Sequence, residues 1–255
     1  MGSLSLCPKS FQESFEPMLD GAIVAPFGDL LAVEKLIDAQ TAAIIIEPIQ
    51  GEGGIIVPSI EFMQGLRKLC DKHSILMICD EVWTAPGRTG SFFAYQHFGI
   101  TPDIVTIAKA LGAGLPLAAV VVAEKWVNVL SPGTHGCTLG GNPLCAAAAV
   151  AALEVVDKEN LVLRAKELGE KCQDFFRQLR SPKIIEVRGK GLMWGIKLAE
   201  DIGAKPIMSE CIERGVFIAA AKQNVVRFAP AMNISEALLF EGFDVVTEVL
   251  NSDKH

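Results

Sequence analysis

The sequence predicts an α/β fold, a layered and largely parallel sheet flanked by helices and followed by a smaller α+β lobe. Three observations carry this. Short runs rich in Ile and Val alternate with amphipathic stretches through the first half of the chain, the pattern of buried strands in a doubly wound or similarly layered sheet. Two of these runs end abruptly in an ionisable residue, one at Asp80 and one just before Lys109. Past Ser181-Pro182, which breaks a long helical stretch, shorter strands and helices mix.

In order along the chain, 30–39 has the spacing of an amphipathic helix and leads into an apolar strand at 42–46. A helix over 60–73 precedes the strand that ends at Asp80. A Gly-, Pro- and Thr-containing loop (84–90) follows, then the aromatic segment 92–98 and two further strands at 104–107 and 117–122. In such sheets a ligand sits beyond the carboxyl ends of the strands, where Glu47, Asp80 and Lys109 fall. Asn142-Pro143 opens a helix over 144–156, and a second covers 161–179. Strands at 184–187, 192–198 and 225–228 and helices at 206–214 and 237–250 complete the smaller lobe. The expected division is 1–159 and 160–255, joined by helix rather than by a flexible spacer.

At 255 residues, half of them hydrophobic, the chain can bury one sizeable core and a small second one. A net charge of −7 disfavours a nucleic-acid surface or an anionic membrane as partner. The strongly apolar stretches 115–123 and 144–153 are too short to span a bilayer. No targeting segment is seen in this chain, and Leu6 stands where a myristoylation signal needs Ser or Thr. Seven scattered cysteines without C-x-x-C spacing read as free thiols in a reducing compartment, the cytoplasm or an organelle matrix. Four histidines show no ligand spacing, so no metal site is expected.

An acid and an amine at neighbouring strand ends fit two readings. A strand-terminal Asp commonly caps a turn, and a lone Lys is commonly a solvated charge. The same pair is also what pyridoxal phosphate requires, an amine for the Schiff base and a carboxylate to keep the pyridinium nitrogen protonated. The surrounding text separates them. Glu47-Pro48-Ile49-Gln50-Gly51-Glu52-Gly53-Gly54, Asp80-Glu81-Val82 with Gly87-Arg88-Thr89-Gly90, Ala108-Lys109-Ala110-Leu111, Thr138-Leu139-Gly140-Gly141-Asn142-Pro143 and Arg227-Phe228-Ala229-Pro230 occur in that order. Together they resemble the class III pyridoxal-phosphate-dependent aminotransferases, acetylornithine/ornithine subgroup, from about residue 1 to 250.

The resemblance implies a fold type I transferase-like large domain, an incomplete mixed sheet with flanking helices, plus a small C-terminal α+β domain. It implies transamination of an acetylornithine- or ornithine-type donor with 2-oxoglutarate as acceptor. Lys109 would carry the cofactor and then move the proton at Cα. Asp80 would pair with the ring nitrogen, and Val82, on the same side of an extended chain, would press on the ring face. Glu52 and Arg227 resemble the family's gating pair, the arginine taking a substrate carboxylate and the glutamate neutralising it when a distal amine is bound. Thr138 resembles a residue that reaches the cofactor phosphate of the neighbouring subunit, which implies a homodimer with sites at the interface.

Two departures stand out. Trp83 occupies a position next to the cofactor where relatives usually carry glutamine; indole offers one donor, no acceptor and more bulk. The family's N-terminal third, with its phosphate cradle, ring-stacking aromatic and a further arginine, has no counterpart before Met1. The alternative is therefore a truncated, non-catalytic fragment or pseudoenzyme that dimerises with or regulates a full-length homologue. Another pyridoxal-phosphate activity, such as racemase or aminomutase, fits Lys109 and Asp80 as well, but Glu52 with Arg227 disfavours it.

Overall fold

A computed structural model describes residues 2–252 of the chain. Its first sheet has the order β1 (Ala43–Ile46), β2 (Leu76–Asp80), β3 (Ile104–Ile107) and β4 (Ala119–Val122). The first three strands run parallel and β4 returns antiparallel. β-branched residues dominate these runs, as a pleated and half-buried surface favours. Burial alternates along β2: Met77 and Cys79 are fully buried, while Leu76, Ile78 and Asp80 are half-buried.

Short helices α1 (Lys9–Gln12) and α2 (Leu30–Leu36) precede the sheet, and α3 (Ile60–His73) packs on β1 and β2. The Ser59 side chain caps α3 by accepting from Phe62 N. Phe62, Met63, Leu66, Leu69 and Cys70 then form one apolar stripe into the core. Helix α2 stops at Leu36, short of the expected 39, because Asp38 Oδ1 accepts from Gln40 N and Thr41 Oγ1 and turns the chain.

Asp103, at the entry to β3, pins the sheet to its helices. One oxygen accepts from Arg67 Nη1 at 2.8 Å and Met77 N at 2.9 Å, and the other from Lys125 Nζ at 2.6 Å. These donors hold the 4%-exposed carboxyl well below the usual carboxylate range, despite its burial. Asp103→Ala would leave the Arg67 guanidinium without its buried partner. We expect a loss of about 3 kcal/mol in denaturant unfolding, the lower end for a broken buried pair; a loss under 1 kcal/mol would show the pair to be dispensable.

Helix α4 (Pro143–Lys158), capped by the Asn142 side chain with Pro143 in its first turn, leads to α5 (Leu161–Gln178). Beyond it lie β5 (Ile184–Lys190), β6 (Met193–Leu198), α6 (Ala204–Glu213), β7 (Ala219–Ala221), β8 (Val225–Phe228) and α7 (Glu236–Asn251). The second sheet has the order β5-β6-β8-β7, antiparallel throughout. Its core is separate from the first and is rich in aromatics: Phe176 lies 4.9 Å from Phe243 and 5.0 Å from Trp194, ring centre to ring centre.

The loop after β2 seats on this second unit. A Cβ on Gly191 would stand 2.4 Å from Thr89 C, so only glycine permits the approach. Arg88 Nη1 donates to Pro230 O at 2.8 Å and to Leu192 O at 3.3 Å, tying the loop to the segment just past β8.

Candidate active site

The parallel register sets the geometry. Asp80 pairs with Thr106, and Lys109 follows three residues later, just beyond the end of β3. Both side chains therefore emerge at the carboxyl edge of adjacent strands. Asp80 Oδ1 accepts from Val82 N at 2.9 Å, which closes the turn, while Oδ2 has no protein partner among the described residues. Val82 itself is half-buried.

Lys109 takes a left-handed backbone angle, φ 43°, at the strand-to-turn junction. Its side chain is solvent-accessible, yet the amine is shielded enough to lie below the usual lysine range. Burial is the main cause and Arg227 adds to it; Glu52, Asp80 and Glu47 pull the other way.

A hairpin closed by the Gln50–Ile56 bridge brings Glu52 to the same place. Glu47, at the end of β1, accepts from Gly51 N at 2.8 Å and anchors this hairpin. Burial raises the Glu47 pKa, reinforced by Asp80 and Glu52. From the second sheet, β8 delivers Arg227, whose Nη1 donates to Glu52 Oε1 at 2.8 Å and to Gly51 O at 3.3 Å. The pair is asymmetric: the arginine side chain is 10% exposed and the glutamate 75%. Trp83 lies against both cations, with Lys109 Nζ 5.4 Å and Arg227 Cζ 5.0 Å from its ring centre.

The structure thus gathers Asp80, Val82, Trp83, Lys109, Glu52 and Arg227 at one sheet edge. Thr138 is not joined to them. It lies in an exposed turn before α4, and among the described residues no hydrogen bond or ion pair links it to the group.

Two acids have roles the sequence reading did not assign. Glu47 was placed at a strand end but given no task; the Gly51 and Gly53-Gly54 turn four residues on was the available signal. Glu81 is fully buried, accepts from the Thr84 hydroxyl, Ala94 N at 2.9 Å and Tyr95 N at 2.8 Å, and is raised in pKa by burial. It holds the 94–98 turn of helix beneath the site loop. No local pattern marks it, since both amide donors come from a distant segment.

Comparison with known proteins places the chain in a family. The sequence model of the family described as "Aminotransferase class-III" covers residues 1–250. The ornithine aminotransferase 1 of Staphylococcus saprophyticus is 42% identical over 98% of the chain and 64% of its own length. The acetylornithine aminotransferase of Mycolicibacterium smegmatis is 42% identical over 99% of the chain and 65% of its own. The crystal structure of ornithine aminotransferase from Toxoplasma gondii superposes with a TM-score of 0.90 at 34% identity, over 95% of this chain and 59% of that one. The chain thus spans less than two thirds of the length of these relatives. A family match that runs nearly end to end, carried by relatives this similar on a common fold, makes the chain a member of the class III aminotransferases.

Proposed function

We propose that this chain carries the lysine-bearing part of a pyridoxal-phosphate-dependent aminotransferase. Its donor would be an ornithine- or acetylornithine-type amine, and its acceptor 2-oxoglutarate. One observation supports this above the rest: the Lys109 amine and the Asp80 carboxylate leave neighbouring parallel strands at one edge, and Arg227 faces them from the second sheet. The named relatives act as ornithine or acetylornithine aminotransferases, and the donor class rests on them.

The residues present fit the cofactor. Lys109 would hold it through Nζ, and the Asp80 oxygen left without a protein partner would hold the proton on its ring nitrogen. When bound, pyridoxal phosphate supplies an electron sink for the charge that develops at the substrate Cα. The depressed pKa of Lys109 raises the neutral fraction of its amine, which can then take and return a proton at Cα. Arg227 binds a substrate carboxylate. Glu52, exposed and held by a single charged partner, swings away to permit it and returns when a distal amine replaces that carboxylate. Glu47 keeps the Glu52 hairpin in register by holding Gly51 N. Val82, whose N–H donates to Asp80, would bear on the ring of a bound cofactor, and Trp83 borders the site against both cations.

The division at 159/160 into a cofactor-binding large domain and a small C-terminal domain belongs to the same proposal, supported by the two separate cores. So does a homodimer in which Thr138 serves the partner subunit's site, supported by its exposure on a turn that makes no bond to its own site. Seven free cysteines, five of them buried, support a reducing compartment, cytoplasm or organelle matrix. No helix among the described residues is long and apolar enough to cross a membrane.

A second reading, a non-catalytic partner of a full-length homologue, is favoured by the share of the relatives left unmatched. The visible spectrum with added pyridoxal phosphate tests cofactor capture. The expected result is a cofactor absorbance band that borohydride shifts and that then survives gel filtration with the protein. Cofactor that washes away after reduction would exclude a lysine-held site and leave only the second reading.

A further inference from the structure

Trp83 stands where the two cations of the site converge. Its indole is clamped: a Cβ built on Gly51 would lie 3.1 Å from Cε3 and 3.2 Å from Cδ2, so the hairpin backbone covers the ring closely. Lys109 and Arg227 approach the same ring at 5.4 and 5.0 Å, within the range of cation–π attraction. The indole therefore borders both the amine that would hold the cofactor and the guanidinium that would hold the substrate.

Arg227 depends on this contact. Its side chain is nine-tenths buried, and among the described residues its Nε has no hydrogen-bond partner and its side-chain hydrogen bonds both run through Nη1. Hydrogen bonds alone leave the rest of the guanidinium free to turn; the indole supplies the second constraint. A rigid aromatic that fixes a carboxylate receptor and occupies the adjoining volume limits which chains can bridge the two cations.

Building on the proposed function, we infer that Trp83 is the specificity-determining residue of this site. It positions Arg227 and walls the space towards Lys109. The site then accepts carboxylates on slender, unbranched aliphatic chains and excludes aromatic ones. No such role follows from the family likeness, since relatives usually carry glutamine here and indole cannot replace its hydrogen-bonding pattern.

Isothermal titration of the full chain with 2-oxoglutarate and with phenylpyruvate tests this without turnover. The unmodified chain should bind 2-oxoglutarate at least about tenfold more tightly, a typical scale for discrimination by pocket shape. Trp83→Ala should erase or invert that preference, by weakening 2-oxoglutarate and admitting phenylpyruvate. If Trp83→Ala fails to fold by circular dichroism, Trp83→Leu makes the same comparison with more bulk and no aromatic face. An unchanged preference in a folded variant overturns the inference while leaving the site assignment standing. Arg227→Ala is the separate control: binding of 2-oxoglutarate undiminished in that variant, or no binding by the unmodified chain, defeats the site assignment and the inference with it.

Discussion

Lys109→Ala should abolish the borohydride-stable attachment of pyridoxal phosphate and leave the far-UV circular dichroism unchanged. The amine is the bonding atom, so its removal acts on attachment itself rather than on affinity by degrees. No neighbouring cation can stand in: Arg227 offers a guanidinium that stays protonated at all working pH values. The fold should tolerate the change, because the Lys109 side chain is accessible and its amine makes no hydrogen bond among the described residues. What the protein gives up is the approach of Nζ to the Trp83 ring at 5.4 Å, worth no more than about 1 kcal/mol. Other surface lysines react slowly with any aldehyde, so the reduced protein should be digested and the labelled peptide identified by mass. Label that persists at full stoichiometry in Lys109→Ala would move the attachment elsewhere.

Turnover by the 255-residue chain should rise by orders of magnitude when the N-terminal portion of a full-length relative is supplied. Relatives extend over a third or more of their length beyond the matched region. On the proposed reading, Lys109, Asp80 and Arg227 would hold cofactor and substrate within one chain, whereas the phosphate would be reached only by Thr138 of a neighbouring subunit. Holding reactants in productive orientation is worth as much as about 7–11 kcal/mol of barrier, and a cofactor tethered at one atom forgoes much of that. Apolar side chains also stand open at both edges of the first sheet, Ile45 on β1 and Val120 with Val121 on β4, and on α4 at Leu144, Val150 and Val155. These are surfaces that further chain or a partner would cover. The assay is transamination of ornithine and N-acetylornithine with 2-oxoglutarate by the short and extended chains side by side. Equal turnover by the two would show that this chain holds its cofactor by groups other than those named here.

What could be read from the sequence divides along physical lines. The strands that lead to Asp80 and Lys109 are legible because short apolar runs bounded by turn residues suit buried strands and are too short for ordinary helices. Strand β7 is not: Ala219, Ala220 and Ala221 have no β-branching, and only pairing with β8 makes them a strand. Likewise the strand expected over 117–122 begins at Ala119, because its partner β3 ends opposite it at Ile107 and turns away at Lys109. In the site, Glu52 and Arg227 were legible through likeness to a known pair, although 175 residues separate them and no local rule joins them. Glu81 is not legible from the sequence, because two of its three donors, Ala94 N and Tyr95 N, come from a separate segment.

Under the gating role proposed for Glu52 and Arg227, their unequal exposure would make ionic strength a variable of substrate choice. Dissolved ions at physiological concentration screen charge over about 8 Å of solvent. They reach the glutamate freely and the buried guanidinium hardly at all. Raising salt would therefore loosen the Glu52–Arg227 pair while leaving the buried guanidinium charged, and in the proposed reaction the carboxylate-bearing and amine-bearing substrates would feel the medium differently. Rates compared between laboratories at unlike salt would then differ in the ratio of the two half-reactions, with no change in the protein.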